Sequence, residues 1–137
     1  MSEKIIELIL QNPSGFETEK IIINNRNYEV SYEWKRRINI EIKPAQQLFQ
    51  DIAISEIEKN NFMIFITRSP SYSLRGTRTA LTENLLSNKY TPALLSFPAS
   101  KISCENNQVS YTAKLRKKNS DQLIKIVNYF EALIRTL

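Results

Sequence analysis

A strict alternation of apolar and polar residues marks the N-terminal third of the chain. Tyr28, Val30, Tyr32 and Trp34 are each separated by one polar residue, and a period of two is typical of a strand with one buried face. The alternation continues, around a turn or along one bent strand, in Ile38, Ile40 and Ile42. We expect the aromatic residues to form the core face of a sheet, although aromatic residues on a sheet can also stack against bases.

The residues before this strand predict its hairpin partner. Thr18–Ile23 is rich in β-branched residues, which favour strands, and an asparagine-rich turn follows it. A turn on Asn25-Arg26 gives the pairs Ile23 with Tyr28 and Ile21 with Val30. Further upstream, the apolar segment Lys4–Leu10 is interpreted as a first strand that ends at a Pro/Gly turn.

The segment Pro44–Asn60 has two interpretations. An apolar stripe at helical spacing favours a helix that starts near Pro44; its members are Leu48, Phe49, Ile52, Ala53 and Ile57. Ile52 and Ile54 also fit a strand that leads into a hairpin. We favour the helix.

The middle of the chain predicts a strand, a loop and two helices. Phe62–Thr67 is typical of a buried strand, and Arg68–Arg78 is a polar loop. Thr79–Ser87 follows as a helix. Thr91-Pro92 provides an N-cap and first position for a short helix that ends before Pro98.

A second hairpin follows, with Asn106-Asn107 as its two-residue turn. This turn places Cys104 opposite Val109 and Ile102 opposite Tyr111 on an apolar side. The polar side then pairs Glu105 with Gln108, Ser103 with Ser110, and Lys101 with Thr112. Both strands agree on one register, which is what a true hairpin requires.

The last helix is capped by Asn119 or Ser120 and has the clearest helical periodicity. Its apolar positions are Leu123, Ile126, Val127, Phe130, Leu133, Ile134 and Leu137. Together the elements predict one α+β domain over residues 1–137. Its sheet is mostly antiparallel, built from the N-terminal strands plus the C-terminal hairpin, with helices on one face.

Composition excludes several function classes. The chain has no histidine and a single cysteine, Cys104, so it offers neither a histidine general base nor a thiolate zinc site. Cys104 is expected to be a small buried residue rather than a reactive thiol. We expect no cofactor, no metal and no catalytic residue. A lone thiol, with no signal or membrane-spanning segment, predicts a cytoplasmic protein without membrane insertion.

The charge distribution is asymmetric. Residues 1–60 carry 8 basic and 10 acidic side chains, whereas residues 61–137 carry 11 basic and 4 acidic ones, for a total of +5. The candidate anion- or partner-binding residues are Arg68, Arg75, Arg78, Lys114, Arg116, Lys117 and Lys118. The first three belong to the loop that precedes a helix N-terminus, which favours anions. Each group is also consistent with an ordinary solvated loop or strand end. Lys35-Arg36-Arg37 is similar, but three nearby glutamates dilute its charge.

From Phe62 onward the order of elements includes a short Thr-Pro helix, Thr91-Pro92-Ala93-Leu94-Leu95, before a hairpin and a terminal amphipathic helix. This order resembles the soluble domain of an uncharacterised bacterial family that is often encoded next to membrane segments. The resemblance covers the second half of the chain and implies a bacterial, non-catalytic protein.

The sequence therefore predicts a non-catalytic binding module. Its expected partner is another protein, a second copy of the chain or another acidic surface. The alternative is a nucleic-acid-binding protein that uses the basic region 68–118. A histidine-free enzyme that uses lysine, tyrosine or carboxylates is the third hypothesis.

Overall fold

A computed structural model describes residues 3–45, 55–59, 72–76, 79–105 and 108–137 of the protein. The fold is α+β. The strands are β1 (Gly15–Ile23), β2 (Arg26–Trp34), β3 (Arg37–Pro44), β4 (Ser55–Lys59), β5 (Tyr72–Arg75), β6 (Lys101–Glu105) and β7 (Gln108–Arg116). The helices are α1 (Glu3–Gln11), α2 (Ala80–Ser87), α3 (Thr91–Leu95) and α4 (Gln122–Thr136), with a 3-10 turn at Lys117–Asn119.

The strands form one antiparallel sheet in the order β1-β2-β3-β7-β6-β4-β5. The C-terminal hairpin therefore lies beside β3, at the centre of the sheet. In the described part of the chain, helices cover one face, where the apolar residues of each strand are buried. The other face, called the open face below, carries the alternate polar residues of the strands.

The covered face confirms the expected role of the N-terminal aromatic residues. Tyr28, Tyr32 and Trp34 are all buried, so they form core and not a platform for bases. The Tyr28 ring meets Phe130 of α4 edge to face, with centroids 5.6 Å apart, a geometry that aromatic pairs favour. On the same covered face, the hydroxyl of Tyr111 in β7 donates to the Leu94 carbonyl of α3.

The second hairpin and the last helix are also confirmed. The pairing of β6 with β7 has the register predicted above, including Cys104 opposite Val109 and Lys101 opposite Thr112. The predicted apolar stripe of α4 is buried except at its end, where Leu137 is exposed. The predicted N-cap residue of α4 was wrong, because Asp121 occupies the N-cap position and its side chain makes no capping hydrogen bond.

The first hairpin has the predicted faces but a different register. Asn24 and Asn25 form the turn, both with positive φ (51° and 61°), as a two-residue turn between right-twisted strands favours. Ile23 therefore lies opposite Arg26, not Tyr28. The slip is two residues, so every side chain keeps its face.

Two predicted elements were wrong in kind. Residues 4–10 are helical and not a strand, because Ile5, Leu8 and Ile9 share one helix face and pack on the core. The helix predicted for 44–60 was also wrong where the structure describes it. Pro44 ends β3 and Ile57 is a buried residue of β4. The rest of that stripe lies outside the described residues.

The region from 62 to 98 was predicted in part. The polar loop contains strand β5, which pairs with β4, while residues 62–67 lie outside the described part. The helix at 80–87 is confirmed with Thr79 as its cap. The short helix is confirmed too, but Thr91 does not cap it, because the Thr91 hydroxyl donates to the Leu85 carbonyl.

Candidate functional site: a basic end of the open face

The turn between β2 and β3 lies beside the end of β7. The strand register places Arg37 opposite Arg116 and Asn39 opposite Lys114, and opposite residues in a sheet share a face. Lys35 and Arg36 form the turn itself. Two basic segments that are far apart in sequence therefore meet at one end of the open face.

This end, which we call the basic end, comprises six exposed cations: Lys35, Arg36, Arg37, Lys114, Arg116 and Lys118. None of the six makes an ion pair with a carboxylate in the described part of the chain. Four of them line an open groove together with Glu33, Trp34 and Asn39. Arg37 and Arg116 are like charges directly opposite one another, an arrangement that disfavours strand pairing.

The basic end is built on a tightly packed corner between α1 and β1. The Trp34 indole N–H donates to the Asn12 carbonyl (3.2 Å). A Cβ added to Gly15 would lie 2.3 Å from Trp34 Cζ2, so only glycine allows this close approach. The Lys117 ammonium donates to the carbonyls of Asn12 (3.2 Å) and Pro13 (2.9 Å). Lys117 therefore holds the corner together, and its neighbours are left to face solvent.

The middle of the open face differs, because its charges are paired. Lys101 Nζ lies 3.4 Å from a Glu56 carboxylate oxygen and 3.5 Å from one of Glu58. Lys43 Nζ lies 3.7 Å from Glu41 Oε1. The surface therefore changes from paired charges of both signs to cations that have no ion-pair partner among the described residues at one end.

The other predicted site residues lie elsewhere or outside the described ranges. Arg75 is exposed on β5, opposite Glu56 of β4. Strand spacing and rise place Arg75 about 14 Å from Arg116 across the strands and about 20 Å from it along the strands. Arg75 does not join the basic end. Arg68 and Arg78 lie outside the described residues, so whether they form an anion site remains a prediction.

The helix N-terminus near that loop already has protein partners. The Thr79 hydroxyl accepts from the Thr82 N–H (3.2 Å), and the Thr82 hydroxyl accepts from the Thr79 N–H (2.8 Å). This reciprocal capping box satisfies two groups that an anion would otherwise use. Gly76 has φ of 96°, a conformation that favours glycine.

Two observations concern groups that could take part in metal binding or catalysis. The described residues contain no group of three or more cysteine, aspartate or glutamate side chains that could hold a metal. Burial raises the pKa of the Cys104 thiol to about 11, so the thiol stays protonated at neutral pH. Burial also raises the pKa of the Tyr111 hydroxyl. Neither group is poised to act as a nucleophile or base near neutral pH.

Sequence reasoning left Lys35-Arg36-Arg37 out of the candidate residues because three glutamates lie close to it in the chain. Glu29 and Glu41 share the open face but lie away from this end. Glu29 lies opposite Lys20 and Lys43, and Glu41 lies opposite Ser31. Only Glu33 lines the groove. The period-two pattern predicted which residues share a face of the sheet. It did not predict that β3 pairs with β7 and places Arg37 opposite Arg116.

Comparisons with known proteins add no family. No protein-family model, curated protein or solved structure matches the chain. The resemblance to a bacterial family therefore stays a prediction. Among the helices of the described ranges, none has the length and apolar content needed to cross a bilayer.

Proposed function

We propose that this protein is a non-catalytic binding module whose basic end takes up a polyanionic partner. The observation that carries the proposal is the group of six exposed cations at one end of the open face. They are unpaired within the described part of the chain, and four of them line one open groove. Buried, protonated Cys104 and the lack of histidine support a non-catalytic role. The lone buried thiol also suits a reducing, cytoplasmic setting.

The physical argument concerns what these charges cost and what they provide. Arg37 opposite Arg116 disfavours folding, and neighbouring Lys35, Arg36 and Lys114 add to the repulsion. The same positive potential lowers the free energy of any anion that enters the groove and speeds its encounter. An arrangement unfavourable in the free protein becomes favourable in the complex.

The charge pattern by itself is satisfied by an acidic protein segment and by a phosphate backbone. A polyglutamate peptide and a single-stranded oligonucleotide therefore serve as probes of the two sources. Trp34 is the single tryptophan of the chain and lines the groove. Trp34 is buried, so its fluorescence reports a change in the lining of the groove rather than contact with the ligand.

The test compares two charge-matched double variants. R36Q/K114Q removes two cations from the basic end, whereas K125Q/R135Q removes two exposed cations from α4. With the oligonucleotide, R36Q/K114Q should flatten the plot of log affinity against log salt by about 1.4, or about 0.7 for each lost phosphate contact. K125Q/R135Q should leave the slope unchanged. Equal effects of the two variants, or no binding of either probe at low salt, contradict the proposed function.

A further inference from the structure

An exposed aromatic side chain lies beside the basic end on the same face of the sheet. Phe16 of β1 is 61% exposed and lies opposite Glu33. Glu33 lies opposite Asn39, which in turn lies opposite Lys114. These four residues form one cross-strand row, with Phe16 at one end and Lys114 at the other.

The row and the basic end together have the layout of a surface that binds both bases and phosphates. Phe16 and Lys114 are separated by three strand spacings, about 14 Å. Arg37 and Arg116 lie one open-face position beyond the row, about 7 Å along the strands. An aromatic ring on an open sheet can stack against a base, and a line of cations can follow the backbone.

We propose that this row and the basic end bind single-stranded nucleic acid, with a base stacked on Phe16 and phosphates against the cations. The inference rests on the proposed function and identifies its polyanionic partner as a single-stranded nucleic acid. A base contributes a flat π face that stacks on an aromatic ring, whereas the carboxylate side chains of an acidic peptide offer Phe16 no such face. Base pairs inside a duplex are already stacked, so a duplex cannot use Phe16 in this way.

Two polar residues of the row are placed to read base edges. Asn39 carries both a donor and acceptors, and the Glu33 carboxylate is an acceptor only. Glu33 opposes phosphate by its charge, but it can accept from an exocyclic amino group such as that of cytosine. The site is therefore expected to prefer bases with amino groups over thymine.

The experiment measures fluorescence anisotropy with a labelled short single-stranded oligodeoxycytidylate. Phe16→Ala should weaken binding about 5- to 150-fold, the range for loss of one base–aromatic stack. The salt slope should stay unchanged, because stacking releases no counterions. Phe16→Tyr should restore affinity. Ile22→Ala is the matched control, since Ile22 is 67% exposed at the other end of the same strand face.

The failures of the two proposals are distinguishable. If R36Q/K114Q weakens polyglutamate and oligonucleotide alike while Phe16→Ala changes neither, the nucleic-acid inference is wrong and the polyanion module stands. Equally tight binding of a duplex, insensitive to Phe16, also overturns the inference. So does self-association of the protein that Phe16→Ala abolishes while oligonucleotide affinity stays the same. If no probe binds in a salt-dependent way, both proposals fail.

Discussion

The centre and the basic end of the open face belong to one sheet but handle charge in opposite ways. At the centre, Lys101 lies between the carboxylates of Glu56 and Glu58. At the end, Arg37 lies opposite Arg116 with Lys114 one open-face position away. Strand geometry is the same in both places, so the difference comes only from which side chains the register brings together.

This contrast separates charges that serve folding from charges available for binding. A cation held by two carboxylates offers little potential to a ligand, because its field is already compensated. Cations that lie opposite one another do not cancel each other's charge, so a positive field extends into the solvent. Counting basic residues along the chain does not make this distinction, whereas cross-strand pairing does.

The largest expected effect concerns the corner that supports the basic end. Gly15→Ala would place a methyl group against the Trp34 ring, and Trp34 is buried and bonded to Asn12. We expect the free energy of unfolding to fall by about 1–3 kcal/mol, the usual cost of overpacking. Chemical denaturation followed by Trp34 fluorescence measures it.

The control for Gly15→Ala is Ser14→Ala, since Ser14 is the exposed neighbour of Gly15. That variant should leave the denaturation midpoint unchanged. Equal midpoints for the Gly15 variant and the unaltered protein would show that the corner can relax, and that the basic end does not depend on it.

An intermediate effect is expected at the centre of the face. Lys101→Gln removes the cation between two glutamates that are about one-third exposed. We expect stability to fall by at most about 1 kcal/mol, as for partly exposed ion pairs, and less at high salt. Polyanion affinity should not fall, because this charge is compensated. Thermal unfolding at two salt concentrations checks the first point, and the Trp34 titration checks the second. A loss of binding as large as at the basic end would erase the contrast between the two regions.

Local sequence patterns predicted what depends on neighbours in the chain. The register of β6 with β7 followed from one two-residue turn and two alternating strands. The buried stripe of α4 followed from helical spacing. The covered face of β2 followed from its aromatic alternation. In each case the decisive contacts lie within one hairpin or one helix, where periodicity is informative.

The errors arose where short apolar runs fit two periods, or where distant segments meet. The run Ile5-Ile6-Glu7-Leu8-Ile9 satisfies both a strand and a helix, and packing on the core decides for the helix. The first hairpin had several possible asparagine turns, and positive φ at Asn24 and Asn25 selected one. The basic end required β3 to pair with β7, a contact that no local pattern specifies. Sequence therefore predicted the fold class and the run of cations at the end of β7, but not the β3 residues that lie beside them.

The most direct measurement uses one substitution with opposite expected effects on folding and binding. R37E replaces a like-charge pair by an opposite-charge pair with Arg116. Stability should rise by about 0.2–1 kcal/mol, the worth of a favourable cross-strand pair. Affinity for the single-stranded oligonucleotide should fall steeply, and the salt slope should fall with it. Denaturation midpoints and Trp34 titrations on the same samples give both quantities. If R37E lowers stability and binds the oligonucleotide as tightly as the unaltered protein, the basic end is not a binding surface held at the expense of folding.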